Sequence, residues 1–227
     1  MHHPWNISPK QAVALQRELA GLVRVEPLSG PIRTVAGADC AFVGQGKGKM
    51  SILAVAVLCD ARTMAVLETT SAVLPCEFPY VPGLLSFREA PAVITAIEKF
   101  STRPDLLMMD GQGLAHPRGL GIACHAGLWL DIPSIGAAKS LLCGEHRTPG
   151  LRRGCRARIL FRGRQVGAAL RTQDDTNPIF VSVGHRVTLS DAIRWSLRAA
   201  KRFRLPEPTG QAHQHVTRLK AQTIARR

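Results

Sequence analysis

Three apolar runs, Thr34–Val43, Ser51–Cys59 and Met64–Leu74, follow one another with hardly any chain between them. Parallel strands need a crossover of a dozen or more residues, so runs this close can pair only antiparallel. Gly44–Lys49 (GQGKGK) supplies turn chemistry at the first joint. The first third of the chain is therefore committed to an antiparallel meander.

The flanking pattern places other elements around that meander. Ser8-Pro9 reads as an N-cap and first helical residue, with Val13, Leu15, Leu19, Leu22 and Val23 on one face and an end near Gly21–Arg24. Cys76–Gly83 (CEFPYVPG) is a proline-marked loop. A helix over Leu84–Phe100 follows, which Pro91 should kink or whose regular part it should open. Leu106–Asp110 is a short buried strand, and GQGLAHPRGLG a glycine-rich connection into a helix around Ile122–Leu130. Pro133–Ala138 is a further strand, Arg156–Phe161 and Gln165–Thr172 make a hairpin around Arg162-Gly163-Arg164, and Ile179–Val183 adds a strand. Thr188–Phe203 is a helix with Asp191 in its first turn and basic residues in its last, as the helix dipole favours. Residues 209–227 form a basic C-terminal tail, helical or frayed. Repeats and linkers are absent from the sequence, and the reading is one domain over residues 1–227. Its class is α/β, a mixed central sheet with flanking helices, in the element order of a ribonuclease H-like fold.

Charge narrows the class of partner. Thirty Lys and Arg against sixteen Asp and Glu leave a formal charge of +14. Such a field attracts polyanions, nucleic acid first among them. The charge is clustered: His146–Gln173 contains no acid but holds Arg147, Arg152, Arg153, Arg156, Arg158, Arg162, Arg164 and Arg171. No apolar run is long enough to span a bilayer, and MHHPWNISPK has no signal-like apolar core, so a cytoplasmic monomer is the expectation. The six cysteines lack metal-ligand spacing and are expected to be buried thiols.

Against this background the odd residues are acids set in apolar strands. A carboxylate in VAGADCAFV loses hydration and needs a cation as partner; Asp39 is that residue. Asp110 closes LLMMD before Gly111, at the carboxyl end of a strand, where α/β sheets place their ligand sites. Glu89 lies on the helix between them. Oxygen donors of this kind suit Mg²⁺ or Mn²⁺, and beside a basic groove they suggest metal-assisted phosphodiester hydrolysis. Taken singly, each acid also has an ordinary reading: a salt-bridged strand acid, a turn residue, a solvated helix acid. Spacing alone leaves those readings open.

Five ordered motifs go further: PYVPGLLSFRE (Pro79–Glu89), DGQGLAHPRGLGIACH (Asp110–His125), IPSIGAAKSLLCG (Ile132–Gly144), VSVGHRVTL (Val181–Leu189) and RLPEPT (Arg204–Thr209). Together they resemble the endonuclease V family over roughly residues 8–213. The resemblance implies a ribonuclease H-like fold and Mg²⁺ as cofactor, with Mn²⁺ able to substitute. The activity it implies is nicking of DNA at the second phosphodiester bond 3′ to deoxyinosine. It implies Asp39, Glu89 and Asp110 as metal-binding acids, Lys139 as an active-site lysine and Tyr80 as an aromatic wedge entering the strand at the lesion. His116 falls in the nucleic-acid-facing loop, and His213 where the family carries His or Asp near the metal. The chain departs from the family pattern in PTGQAHQHVTR, where PTR is commoner after the proline, and in AGADCAF around Asp39.

The residues allow physical roles for these positions. Pro79 and Pro82 stiffen the loop around Tyr80, the only tyrosine in the chain, so its ring can be held out to unstack bases; the alternative is an aromatic that caps the core. Gly83, Gly111, Gly113, Gly119 and Gly121 can let backbone approach a ligand closely enough to read a flipped hypoxanthine; the alternative, ordinary turn glycine, holds for some of them. Lys139 suits a scissile phosphate as a point charge, while His125 and His185 read as structural. The partner expected is inosine-containing DNA. The rivals are inosine in RNA, branched DNA on the same fold, and a non-catalytic nucleic-acid-binding module.

Overall fold

The computed structural model describes residues 2–44 and 50–225, so all but Gly44 of the turn expected at Gly44–Lys49 lies outside the described residues. The meander is present as β1 (Thr34–Val43), β2 (Ser51–Asp60) and β3 (Val66–Pro75), with Asp39 opposite Val55 on β2. It continues into one eight-stranded sheet with β4 (Leu106–Met109), β5 (Ser134–Ala138), β6 (Arg156–Phe161), β7 (Arg164–Leu170) and β8 (Ile179–His185), in the order β3-β2-β1-β4-β5-β8-β7-β6. β1–β4 and β4–β5 pair in parallel and all other neighbours antiparallel, which is the mixed sheet that the ribonuclease H-like reading requires.

Alternation along the central strands explains the layers. Leu107 and Met109 of β4 pack with α2 (Leu85–Ile97) and α3 (Ile122–Leu130) on one face. Leu106 and Met108 point the other way, into the core under Ile193 and Trp195 of α4 (Leu189–Ala199). The first helix, α1 (Pro9–Ala20), is closed by a reciprocal Ser8–Gln11 capping box and lies outside the α2–α3 layer, burying Ala12 against Phe87 and Leu19 against Leu120.

Several boundaries differ from the sequence reading, each for a local reason. Helix α2 begins six residues before Pro91, so the proline sits inside it and does not open its regular part. Asp110 falls just beyond β4. The hairpin turn is Arg162-Gly163 alone, both at positive φ (51° and 74°), with Phe161 opposite Arg164; this is the two-residue turn whose twist matches the strands. Helix α4 stops at Ala199, short of Phe203, because Ala200 leaves helical geometry (φ −83°, ψ 87°) and the Arg153 guanidinium takes the carbonyls of Leu197 and Ala200.

Of the two readings of the C-terminal residues, helical or frayed, the helical one is found: Glu207–Ala225 is a 19-residue helix, α5. Pro208 stands in its first turn, where a missing N–H costs nothing. Its Ala212 and Val216 are buried over Leu53, Val55, Val57 and Cys59 of β2. All six cysteines are free, as expected, but only Cys59 and Cys124 are buried; the other four are partly exposed.

Candidate active site

Parallel register builds the site. Ala38 of β1 stands opposite Met109 of β4, and Met109 opposite Gly136 of β5. One step further along, Asp39, Asp110 and the chain leading to Lys139 share one edge of the sheet, on neighbours about 4.8 Å apart. Lys139 Nζ lies 2.5 Å from Asp110 Oδ2. His213 arrives from α5 and places Nδ1 2.7 Å from Asp39 Oδ2, while Asp39 Oδ1 accepts the Cys40 N–H at 2.8 Å. Glu89, on α2, faces the same place. Burial, and then the charges of Asp39 and Asp110, push its carboxyl up to about 7, against the Cys40 hydrogen bond and Arg88, which lower it. The Cys40 thiol is in turn held far above its ordinary range by burial, Glu89 and Asp39.

Glu89, raised by burial and by the charges of Asp39 and Asp110, is the acid that a nearby cation would relieve. Carboxylate oxygens such as these three are the donors a hard divalent ion takes, and the His213 imidazole is bonded to one of them. Among the described residues no three His, Cys, Asp or Glu side chains are drawn together as a ready-made ion cage. Lys139 and His213 stand beside Asp110 and Asp39 instead.

Beside the acids lies the proline-marked loop. Leu84 N–H donates to Val81 O at 2.9 Å and Gly83 has φ 78°, so Val81-Pro82-Gly83-Leu84 is a type II turn with Pro and Gly in the positions that turn demands. Tyr80, just before it, is 72% exposed, so it does not cap the core. Arg88 lies over its ring, 6.0 Å from the centroid. Between this loop and the glycine-rich connection opens a cavity of about 400 Å³, lined by Tyr80, Pro82, Gly83, Gly111, Asp110 and Lys139 among others. Pockets of this size are typical of small-ligand sites.

Two expected nucleic-acid contacts are used differently. His116 lines the cavity but is buried, and its nitrogens are spent inside the protein: Nε2 bonds Gly83 O at 3.1 Å and Nδ1 accepts the Arg118 N–H at 3.2 Å. Gly113 does not line the cavity; it is pressed against β8, where an added Cβ would sit 1.9 Å from Val183 O. Its missing side chain admits backbone, not ligand. The arginine cluster also divides. Arg171 is buried with its guanidinium on the carbonyls of Pro149, Gly150 and Thr176, Arg153 caps α4, and Arg152 pairs with Asp174 at 3.4 Å. Arg156, Arg158 and Arg164 remain exposed.

The sequence reading passed over Gln112. Its Nε2 donates to Ser140 O at 2.8 Å, which pins the chain next to Lys139. A buried amide inside a glycine-rich loop has no periodicity to announce it. His125 is structural as expected, but its partners, Ser86 Oγ at 2.9 Å and His3 Nε2 at 2.8 Å, come from distant segments that spacing could not link.

Residues 17–214 match the family model described as Endonuclease V. The chain belongs to the endonuclease V family. It is 44% identical over 217 residues to the endonuclease V of Myxococcus xanthus, covering 95% of this chain and 91% of that one. The crystal structure of endonuclease V from Streptomyces avermitilis superposes with a TM-score of 0.90 at 38% identity, covering 97% of this chain and 96% of the other. The fold also matches Ciona intestinalis endonuclease V, solved in complex with a 23mer DNA containing an inosine followed by a ribo-adenosine. Here the TM-score is 0.81 at 21% identity, covering 96% of this chain and all of that one. As an endonuclease V family member the chain is a nuclease, a hydrolase acting on DNA. Among the described residues no helix is long and apolar enough to cross a membrane.

Proposed function

We propose that the chain is a DNA-repair endonuclease that nicks an inosine-bearing strand at the second phosphodiester bond 3′ to deoxyinosine, with Mg²⁺ as its working cation and Mn²⁺ as a substitute. The observation that carries this reading is a juxtaposition: the acidic edge formed by Asp39, Glu89 and Asp110 adjoins a cavity of about 400 Å³ walled by an exposed tyrosine loop. Acids alone suit any phosphodiesterase. A neighbouring cavity that holds a flipped base, beside an aromatic that fills the gap in the stack, suits an enzyme that must find one altered base.

Asp39, Glu89 and Asp110 would hold the cation, with His213 orienting Asp39. When bound, the ion supplies activation of the attacking water and charge stabilisation at the leaving oxygen. The chain's own residues do the rest. Lys139 is placed to meet the scissile phosphate as a point charge, and its contact with Asp110 parks it at the reaction edge. The Val81–Leu84 turn holds Tyr80 out to stack on a base, and Gly111 and the N–H of Gly83 present backbone to the extruded hypoxanthine. The exposed arginines on β6 and β7 supply non-specific affinity for phosphate. A cytoplasmic monomer is part of this reading.

The test is nicking of a labelled duplex with a single deoxyinosine, beside an undamaged duplex and a matched inosine RNA, in Mg²⁺, Mn²⁺ or EDTA. A single product, cut one nucleotide beyond the 3′ neighbour bond and lost in EDTA, is the expected result. Cleavage of the RNA alone would move the substrate to RNA, the first rival, in which a 2′-hydroxyl at the site is accepted or required. Equal cutting of damaged and undamaged duplex would overturn the reading.

A further inference from the structure

One carbonyl in the cavity wall receives more hydrogen bonds than it has lone pairs. Gly83 O accepts from Gln16 Nε2 at 3.0 Å, from His116 Nε2 at 3.1 Å and from Arg118 Nη2 at 2.6 Å. An acceptor so fully used is unavailable to a ligand. What the bonds accomplish is to fix the position of the turn that follows Tyr80.

Gln16 is the member of this set that no motif points to. It lies on α1, far from the other residues in sequence, and its side chain is completely buried. Its amide nitrogen is directed at the two cavity walls and its oxygen at Arg118. Nε2 donates to Gly83 O on one wall and, at 2.8 Å, to Leu120 O on the other, while Oε1 accepts from Arg118 Nε. Gly83 and Leu120 both line the cavity. Because both carbonyls are acceptors only, the amide orientation is fixed: nitrogen must face them and oxygen must face Arg118.

We propose that Gln16 is a positioning residue for lesion recognition, a single buried amide that spans the two walls of the base-sized cavity and sets the distance between them without touching the substrate. This inference rests on the inosine-directed reading above. The physical case is one of rigidity. A pocket that discriminates by backbone contacts must hold them to within about 0.5 Å. Neither the type II turn nor the glycine-rich connection has regular secondary structure to hold it. A helix-borne amide bonded to both supplies that stiffness from a rigid element. Arg118 reinforces it, since its guanidinium reaches Gly83 O and Gln16 Oε1 together.

The variant to make is Gln16→Met, which keeps length and bulk and removes every hydrogen bond. Affinity for an inosine duplex and for the same duplex undamaged is measured with Ca²⁺ replacing Mg²⁺, and turnover is measured in Mg²⁺ at saturating inosine substrate. Inosine affinity should fall about tenfold, equivalent to about 1.4 kcal/mol, with undamaged-duplex affinity unchanged and kcat within about twofold of the parent. A purely structural role would lower melting temperature and active fraction, moving turnover and both affinities together. That pattern would overturn the inference, as would an unchanged ratio of the two affinities. Should Gln16→Met fail to fold, Arg118→Met, at a partly exposed side chain, is read the same way: its ratio must fall or the inference is wrong. A parent protein that shows no preference for inosine would sink the functional reading and this inference together. A parent that prefers inosine, with variants that keep the preference, would sink this inference alone.

Discussion

Replacing His116 by Gln should change how stability depends on pH, by an amount the structure sets. Gly83 O is an acceptor only, so Nε2 must carry the imidazole proton; Nδ1 accepts the Arg118 N–H, so it must be bare. Protonation would put a second N–H against an existing donor, next to a guanidinium. Burial, with Arg118 adding to it and the Gly83 bond opposing, lowers the His116 pKa from 6.5 to about 4. The native state therefore binds fewer protons than the unfolded state between these values. Stability from the neutral ring is fully present above pH 6.5 and is lost as pH falls through about 4. That interval corresponds to about 3 kcal/mol at most, or a melting shift of about 6–12 °C for a chain this size. His116→Gln keeps an N–H for Gly83 and removes the titration. Urea unfolding of parent and variant between pH 7.5 and 4 gives the stability difference directly. At pH 7.5 the parent should be the more stable by about 1 kcal/mol, and the difference should close and reverse on acidification. A difference that stays constant across the range would refute the assigned tautomer and the clamp it serves.

Asp110→Ala should cut nicking below about a hundredth of the parent rate while leaving inosine-duplex binding in Ca²⁺ largely intact, measured by gel cleavage and fluorescence anisotropy. Tyr80→Ala should weaken paired inosine about ten- to a hundredfold and single-stranded inosine less, because stacking worth about 1–3 kcal/mol is lost where unstacking is needed most; equal losses on both would reduce Tyr80 to packing. Neutralising Arg156 and Arg158 together should lower the salt dependence of undamaged-duplex binding by about two counterions, whereas neutralising Arg152 and Arg153 should mainly destabilise the fold, since Arg153 caps α4. Gly113→Ala should cost about 1–3 kcal/mol of stability by overpacking against Val183 O, read from urea melts; unchanged stability with lost inosine affinity would return Gly113 to the ligand.

Elements whose order is dictated locally were legible before any coordinates. The meander followed from connection length, α1 from Ser8-Pro9 and a 3.6-residue pattern, and α4 from Thr188 and Asp191, which do form a reciprocal capping box. Carboxylates stranded in apolar runs pointed to Asp39 and Asp110, and the structure brings them to one edge with Lys139 and His213. What stayed hidden depended on tertiary partners. Glycine spacing cannot say whether a missing Cβ admits ligand or backbone, so the two readings of Gly113 could be separated only by its contact with β8. Arginine counts cannot separate a guanidinium facing solvent from one spent on carbonyls, as Arg171 is. Polar residues 209–227 looked like a tail because α5 buries mainly small residues, Ala212 and Val216, where a longer apolar stripe would have been conspicuous.

The bond between His213 and Asp39 joins residues 174 positions apart in the chain. During synthesis, Asp39 and its two neighbouring strands emerge early, and the helix that delivers His213 emerges after all eight strands of the sheet. Until then Leu53, Val55, Val57 and Cys59 lack the cover that Ala212 and Val216 provide. The acidic edge thus receives this side chain only after every strand of the sheet has been made. A fragment that stops before α5 would carry the arginines of β6 and β7 but leave Asp39 without His213 and the β2 face without its cover.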